Sequence, residues 1–258
     1  MHVTRQGSGK PLLLVHGLGS NAHTWEPVLP ALSEQREVIA VDLPGFGDTP
    51  PLAGEISIAT LTDAVADYIS DEQLTDVDLV GSSMGGRIVL ELARRGHGGT
   101  VVALDPGGFW NDRQLTVFAV SIRASFALVK KLQPVLPVVT KNPVGRTALL
   151  AQFSAAPWRL PRDLVLAELR SIDQSGSLYP ALDALVHGPR QEGATKGALR
   201  AKVVIGWGRH DRVTTAGQAA TAQAKFPDAT LHWFDKSGHF PHWDQPADTA
   251  RLILDATS

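Results

Sequence analysis

The chain has 258 residues, 43% hydrophobic and 19% charged, an ordinary globular balance. Its 24 basic and 26 acidic residues leave a net charge of −2, which gives neither a field for nucleic acid nor a polybasic membrane patch. With no cysteine, disulfides, thiolate chemistry and cysteine-ligated zinc are all excluded.

Met1 to Gln6 has room for one short strand and nothing resembling a signal peptide. No run reaches the roughly 18 apolar residues of a membrane span, so a cytoplasmic protein is expected. Leu12 to Val15 is a buried-strand run that ends at His16-Gly17. Thr24 to Glu34 has Trp25, Val28, Leu29 and Leu32 at helical spacing, which predicts a helix. Glu37 to Asp42 is the next apolar strand, followed by Leu43-Pro44-Gly45. Ile58, Leu61, Val65 and Ile69 then mark a second helix.

Val77 to Gly81 predicts a strand and Ile88, Leu92 and Ala93 a helix after it. Val101 to Asp105, Val203 to Trp207 and Ala229 to Phe234 are further strands. Thr214 to Lys225 and Pro246 to Ala256 read as the last two helices. Near-continuous apolar strands alternating with amphipathic helices mean a doubly wound, mostly parallel α/β sheet. About 90 residues separate the strand at Val101 from the one at Val203, too many for an ordinary crossover. Phe109 to His187 has no clear strand and is broken by Pro134, Pro137, Pro143, Pro157 and Pro161. It reads as a helical cap over the edge of the sheet where ligands bind in open α/β folds.

Chemistry concentrates at three loops. Gly81-Ser82-Ser83-Met84-Gly85-Gly86 lies between a strand and a helix, the context of a G-x-S-x-G nucleophile turn centred on Ser83. The alternatives are a plain turn with Ser82 or Ser83 as N-cap, or Ser82 as nucleophile out of frame. A serine hydroxyl needs a base. His239, in Ser237-Gly238-His239-Phe240 after the last strand, is the candidate, with His242 as rival. A third group must hold the imidazole tautomer, and Asp211 after the strand ending at Trp207 is chosen over Asp105. A developing oxyanion needs two N–H donors. Met84 and Leu18 are the candidates, with glycines on both sides of Leu18 and His16 in a structural role.

His16-Gly17-Leu18-Gly19, Asp42-Leu43-Pro44-Gly45-Phe46-Gly47, Gly81 to Gly86, Gly208-Arg209-His210-Asp211 and Gly238-His239 together resemble the α/β-hydrolase fold family over nearly the whole chain. The resemblance implies a sheet of about seven to eight strands, with the usual first strand missing. It implies a core domain of 1–108 and 189–258 and a helical cap of 109–188. It also implies a Ser83, Asp211, His239 triad, an oxyanion hole at Leu18 and Met84, and no cofactor or metal. Ser83 argues against the family's aspartate-nucleophile dehalogenases and epoxide hydrolases. Its carbon–carbon hydrolases of ring-cleavage products usually carry asparagine before the nucleophile and tryptophan after the histidine, where this chain has Ser82 and Phe240.

The expected activity is therefore a carboxylic-ester hydrolase acting on a small, largely apolar molecule. Phe109, Trp110, Trp158 and Phe240 are the expected pocket residues. The alternatives are a carbon–carbon hydrolase, a thioesterase, a perhydrolase or lyase on the same triad, or a ligand receptor with residual hydrolysis. The expected partner is a small-molecule ester, with no nucleic acid and no membrane; a homodimer stays open.

Overall fold

In the computed structural model, which describes residues 1–258, the apolar runs form one seven-stranded sheet. Its strands are β1 (Val3–Gln6), β2 (Pro11–Val15), β3 (Glu37–Val41), β4 (Asp78–Ser82), β5 (Val101–Leu104), β6 (Val203–Gly208) and β7 (Thr230–Phe234), in the order β1-β3-β2-β4-β5-β6-β7. β2 to β7 pair in parallel, and only β1 runs antiparallel, against β3. Every residue of β4, β5 and β6 is buried, as a parallel sheet covered on both faces requires. Alternate residues serve opposite faces. Leu13, Val15, Leu79 and Ile205 join the larger apolar cluster, and Leu12, Leu14, Val80 and Val204 the smaller one across the sheet. The exposed edge at β1 is blunted by Arg5, which pairs with Glu37 and Glu72.

The chain runs from β2 outward to β3, then crosses back over β2 to β4. The sheet therefore changes winding direction between β2 and β4, and the crevice at their C-terminal ends is where open α/β sheets bind ligands. The loop His16-Gly17-Leu18 leaves β2 there, and Ser83 leaves β4 beside it.

The helices flanking the sheet are α1 (Leu29–Ser33), α2 (Ile58–Asp71) and α3 (Met84–Arg94). The helix expected over Thr24 to Glu34 is not continuous. A 3-10 turn at Ala22–Trp25 and the short α1 replace it, because Pro27 and Pro30 each lack the N–H that a continuing helix needs.

Between β5 and β6 lie α4 (Asp112–Leu132), α5 (Leu136–Val139), α6 (Pro143–Leu150), a 3-10 turn (Pro157–Arg159), α7 (Arg162–Gln174) and α8 (Leu178–His187), with no strand. Prolines set the breaks: α4 stops just before Pro134, Pro143 opens α6 and Pro161 precedes α7. Val129, Leu136, Leu150, Leu160, Leu164 and Leu169 form this segment's own apolar core, closed by Trp243 from beyond it.

The chain ends in α9 (Gln218–Lys225), α10 (Pro241–Asp244) and α11 (Pro246–Thr257). α9 starts four residues later than Thr214, its expected start, because the N–H groups of Val213 and Thr214 are held by the Asp211 carboxylate in a turn. No helix is long and apolar enough to cross a membrane.

Candidate active site

Ser83 joins β4 to α3 with φ 55° and ψ −112°, a backbone region that side-chain-bearing residues rarely occupy. The turn is so tight that its glycines are obligatory. A Cβ on Gly81 would stand 2.2 Å from the Gly85 carbonyl oxygen, and one on Gly85 would stand 2.1 Å from that of Val15. The strain lifts the Ser83 hydroxyl out of the turn, and its Oγ lies 2.8 Å from His239 Nε2. Ser82, the other candidate, is the last residue of β4; it is fully buried and its Oγ has no partner.

His239 sits on the loop after β7, anchored by its N–H to the Phe153 carbonyl at 2.8 Å. Its Nδ1 meets Asp211 Oδ2 at 2.9 Å, in a spot where both side chains are almost wholly removed from water. Asp211 accepts three further hydrogen bonds, from the N–H groups of Val213 and Thr214 and from Thr214 Oγ1 at 2.6 Å. Its carboxylate plane is thus fixed before it meets the imidazole. Nδ1 must then carry the proton that Asp211 accepts, which leaves Nε2 as an acceptor for the Ser83 hydroxyl.

The rivals fall elsewhere. Asp105, at the end of β5, bonds the Gly208 N–H at 2.8 Å and does not touch His239. His242 is buried against Trp25, their tilted rings 4.6 Å apart between centres; burial lowers its pKa to about 3. Asp105, Asp211 and His239 offer ligand atoms within 4.8 Å of one another, but Asp211 and His239 spend theirs on each other.

His16 positions the facing loop. Its Nδ1 bonds the Gly17 carbonyl at 2.7 Å, and its Nε2 accepts the Leu43 N–H at 3.0 Å. Burial drives its pKa down to about 4, so it is a neutral tie and not a proton carrier at neutral pH. A Cβ on Gly17 would stand 3.2 Å from Ser83 Cβ, a tight contact that glycine avoids where this loop passes the hydroxyl. The Leu18 N–H makes no hydrogen bond within the protein. Met84 opens α3, where an N–H has no partner one turn back. Asp42 is structural: it ties down the N–H groups of Ala22 and Asp48.

Beside this loop lies a narrow cavity of about 40 Å³, lined mainly by Leu18, Phe126, Phe153, Leu169, Ile172 and Phe240. Of the four expected pocket residues only Phe240 lines it. Phe109 packs instead on Trp207 and Phe226 in the core. Trp110 stacks on Phe118, 4.8 Å between ring centres. Trp158 is half-exposed on an outer groove with Arg159, His210 and Lys236. Aromatic content alone could not tell a cavity wall from a packing partner.

Sequence reading missed Thr214, Glu168 and Asp244. Thr214 had a local signal, since an aspartate three residues before a threonine is a common side-chain-to-backbone turn. Asp244 takes hydrogen bonds from Ser154 Oγ and from the N–H groups of Ala155 and Gly238, so it clips the helical insertion to the His239 loop. No local pattern marks that contact.

The profile of the Alpha/beta hydrolase family matches residues 12–252. The chain is 28% identical to the 2-hydroxy-6-oxo-2,4-heptadienoate hydrolase of Pseudomonas putida, over 96% of this chain and 89% of that one. It is 38% identical to the pimeloyl-[acyl-carrier protein] methyl ester esterase of Legionella pneumophila, but over only 36% of each chain. Among solved structures, the enol-lactonase of Burkholderia xenovorans superposes with a TM-score of 0.78 at 18% identity, covering 98% of this chain and 95% of that one. Matched from β2 to β7 and across the loops that carry Ser83 and His239, the chain belongs to the alpha/beta hydrolase family.

Proposed function

We propose that the protein is a serine hydrolase that cleaves carboxylic esters of small, largely apolar substrates through an acyl-enzyme. The observation that carries this reading is the continuous relay from Ser83 Oγ through His239 to Asp211, 2.8 and 2.9 Å in its two links. Ser83 Oγ attacks the ester carbonyl while its proton passes to His239 Nε2. Asp211 holds Nδ1–H and stabilises the imidazolium. The oxyanion takes hydrogen bonds from the N–H groups of Leu18 and Met84, neither of which is spent within the protein. The tetrahedral intermediate collapses, His239 gives its proton to the leaving alcohol, and the acyl group stays on Ser83. Water, deprotonated by His239, then releases the acid.

The helical insertion, residues 109–188, serves as a lid whose inner wall holds the acyl chain. The cavity is far smaller than the roughly 300–1,000 Å³ of ordinary ligand sites, so the lid shifts outward as substrate enters. Carbon–carbon bond cleavage is the second reading, favoured by the similarity to the Pseudomonas putida hydrolase along nearly the full chain. Ser82 and Phe240 favour ester cleavage instead.

The test is labelling with a serine-directed alkyl phosphonate together with turnover of small para-nitrophenyl esters. Wild type takes one label on Ser83. Ser83→Ala takes none and loses about 10⁶ in kcat. A label on Ser82, or near-normal turnover by Ser83→Ala, would refute the assignment. Ring-cleavage dienones turned over faster than esters would favour the second reading.

A further inference from the structure

The helical insertion places one acid in the wall of an otherwise largely apolar cavity. Glu168, on α7, lines it together with Phe126, Leu169, Ile172 and Phe240. Its residue is only 7% exposed. Oε2 accepts a hydrogen bond from Ser20 Oγ at 2.9 Å. One turn along α7, Ser171 Oγ donates to the Gly19 carbonyl at 2.6 Å. α7 thus grips both residues that follow Leu18, the loop facing Ser83. The Thr24 hydroxyl, which accepts from Trp243 Nε1 at 3.1 Å, is the other polar neighbour of the carboxyl, and no Lys, Arg or His pairs with it.

The surroundings keep this carboxyl neutral. Burial raises its pKa to about 8, against the hydroxyls of Ser20 and Thr24, and Glu26 on the neighbouring loop adds repulsion. His242, whose Nε2 meets Thr24 Oγ1 at 3.3 Å, is itself kept neutral by burial and supplies no cation. Because Ser20 donates to Oε2, the acid proton is carried on Oε1.

We propose that Glu168 is a specificity-determining residue whose Oε1 hydrogen-bonds an oxygen acceptor, oxo, hydroxyl or ether, carried on the acyl chain of the ester substrate. The assignment rests on the reading of Ser83 as an ester-cleaving nucleophile and on the cavity as the acyl site. It narrows the substrate class from apolar esters to esters of oxygenated acyl chains. A cationic amine is disfavoured, since it would have to ionise the carboxyl and bury two charges in an apolar wall.

The experiment compares kcat/KM for para-nitrophenyl hexanoate, 4-oxohexanoate and 5-oxohexanoate in wild type, Glu168→Gln and Glu168→Leu. One hydrogen bond is worth roughly a fivefold preference for the better-placed oxo ester in wild type near neutral pH. Glu168→Leu reverses that preference toward hexanoate. Glu168→Gln keeps it, because the amide both accepts from Ser20 and donates to the substrate. Above the Glu168 pKa, wild type loses its preference while Glu168→Gln retains it. If Glu168→Leu fails to fold, as a thermal melt would show, the Glu168→Gln comparison on the alkaline side decides alone. Hydrolysis of all three esters with the same ratios in every folded variant overturns the role of Glu168 and leaves the esterase reading standing. No hydrolysis of any of them by wild type removes the esterase reading, and this assignment with it.

Discussion

Asp105 and Asp211 end one strand and begin the loop after its neighbour, their carboxyl groups side by side, yet only Asp211 reaches His239. Burial, with Asp211 next to it, holds the Asp105 pKa well above the usual carboxylate range. Its Oδ1 takes the Gly208 N–H, and its Oδ2 makes no hydrogen bond. Asp105 thus ties the end of β5 to the end of β6, while Asp211 alone meets the imidazole.

The two acids should separate cleanly on mutation. Asp211→Asn presents an amide to His239 and favours the wrong imidazole tautomer, so kcat falls about 10⁴-fold with the fold retained. Asp105→Asn keeps an oxygen to accept the Gly208 N–H and makes no bond to His239 to lose, so kcat changes little. Steady-state kinetics on one ester, with circular dichroism on both variants, checks this. A large loss from Asp105→Asn and a small one from Asp211→Asn would reverse the assignment.

The nucleophile turn is a packing problem as much as a chemical one. Gly85→Ala would press a methyl group into the Val15 carbonyl, 2.1 Å away, and backbone cannot swing aside as a side chain can. The expected cost is about 3 kcal/mol, the upper end of ordinary overpacking. Activity falls with it, since any relief shifts β2 against α3 and moves the Leu18 loop away from Ser83. Gly217→Ala is the control, because nothing stands within 4 Å of that Cβ. Urea denaturation of both variants measures the difference; equal stability would show that the turn has slack.

The sheet and the three loops could be read from sequence for one reason: their information is local. A buried parallel strand must be continuously apolar, and a turn as tight as that at Ser83 must carry glycine at Gly81 and Gly85. Each constraint is written in the residues that obey it. The cavity wall is different. Phe126 and Ile172 share one cavity wall only because α4 and α7 dock in one orientation, set by bonds such as Ser20–Glu168 and Ser171–Gly19 that span some 150 positions. Phe109 and Trp110 are equally aromatic and closer to the sheet in sequence, yet they pack into the core. Helical spacing also misled at Thr24 and Thr214, where proline and an aspartate turn outweighed it.

Asp244 offers a test of how the helical insertion supports the site. Its carboxylate joins Ser154 and Ala155 to the N–H of Gly238, the residue before His239. Asp244→Ala removes all three bonds and frees the His239 loop. Misplacement of a catalytic group by about 1 Å can cost up to about 10²-fold, so kcat should drop within that range while KM changes less. Slower phosphonate labelling of Ser83 should accompany the drop. A variant that raises KM alone would show that Asp244 holds the lid and not the imidazole.

Chain-length dependence reads the cavity itself. Each methylene buried among Phe126, Leu169 and Ile172 contributes about 0.8 kcal/mol, close to fourfold in kcat/KM if it is kept in the transition state. Activity on unsubstituted esters should climb from acetate to short or medium chains and then fall as the cavity fills. Ile172→Ala enlarges the wall and should move the maximum to longer chains. Flat activity from acetate to long-chain esters would indicate an open groove and count against a closed lid.

The buried titratable groups set opposing limits on stability across pH. His16 and His242 have their pKa values lowered from 6.5 to about 4 and about 3 in the folded chain. Below about pH 6.5 the unfolded chain takes up protons that the folded one refuses, so both groups withdraw stability as pH falls through that window. Glu168 acts the other way. Its pKa rises from 4.5 to about 8, so the folded chain holds a proton that the unfolded chain has already released between those values. Its contribution is fully present below about pH 4.5 and is lost as pH climbs toward 8 and beyond. Each unit of difference is worth about 1.4 kcal/mol, enough for either limb to be seen in a melting curve. Thermal unfolding measured from acid to mildly alkaline pH should therefore show a dome for wild type. Glu168→Gln should make the alkaline limb shallower and leave the acid limb in place; buried Asp105, whose pKa is raised in the same direction, keeps part of that limb. His242→Phe should flatten part of the acid limb and leave the alkaline one. Parallel curves for wild type and Glu168→Gln would mean that the carboxyl is solvated in the folded chain, and the neutral donor in the cavity wall would go with it.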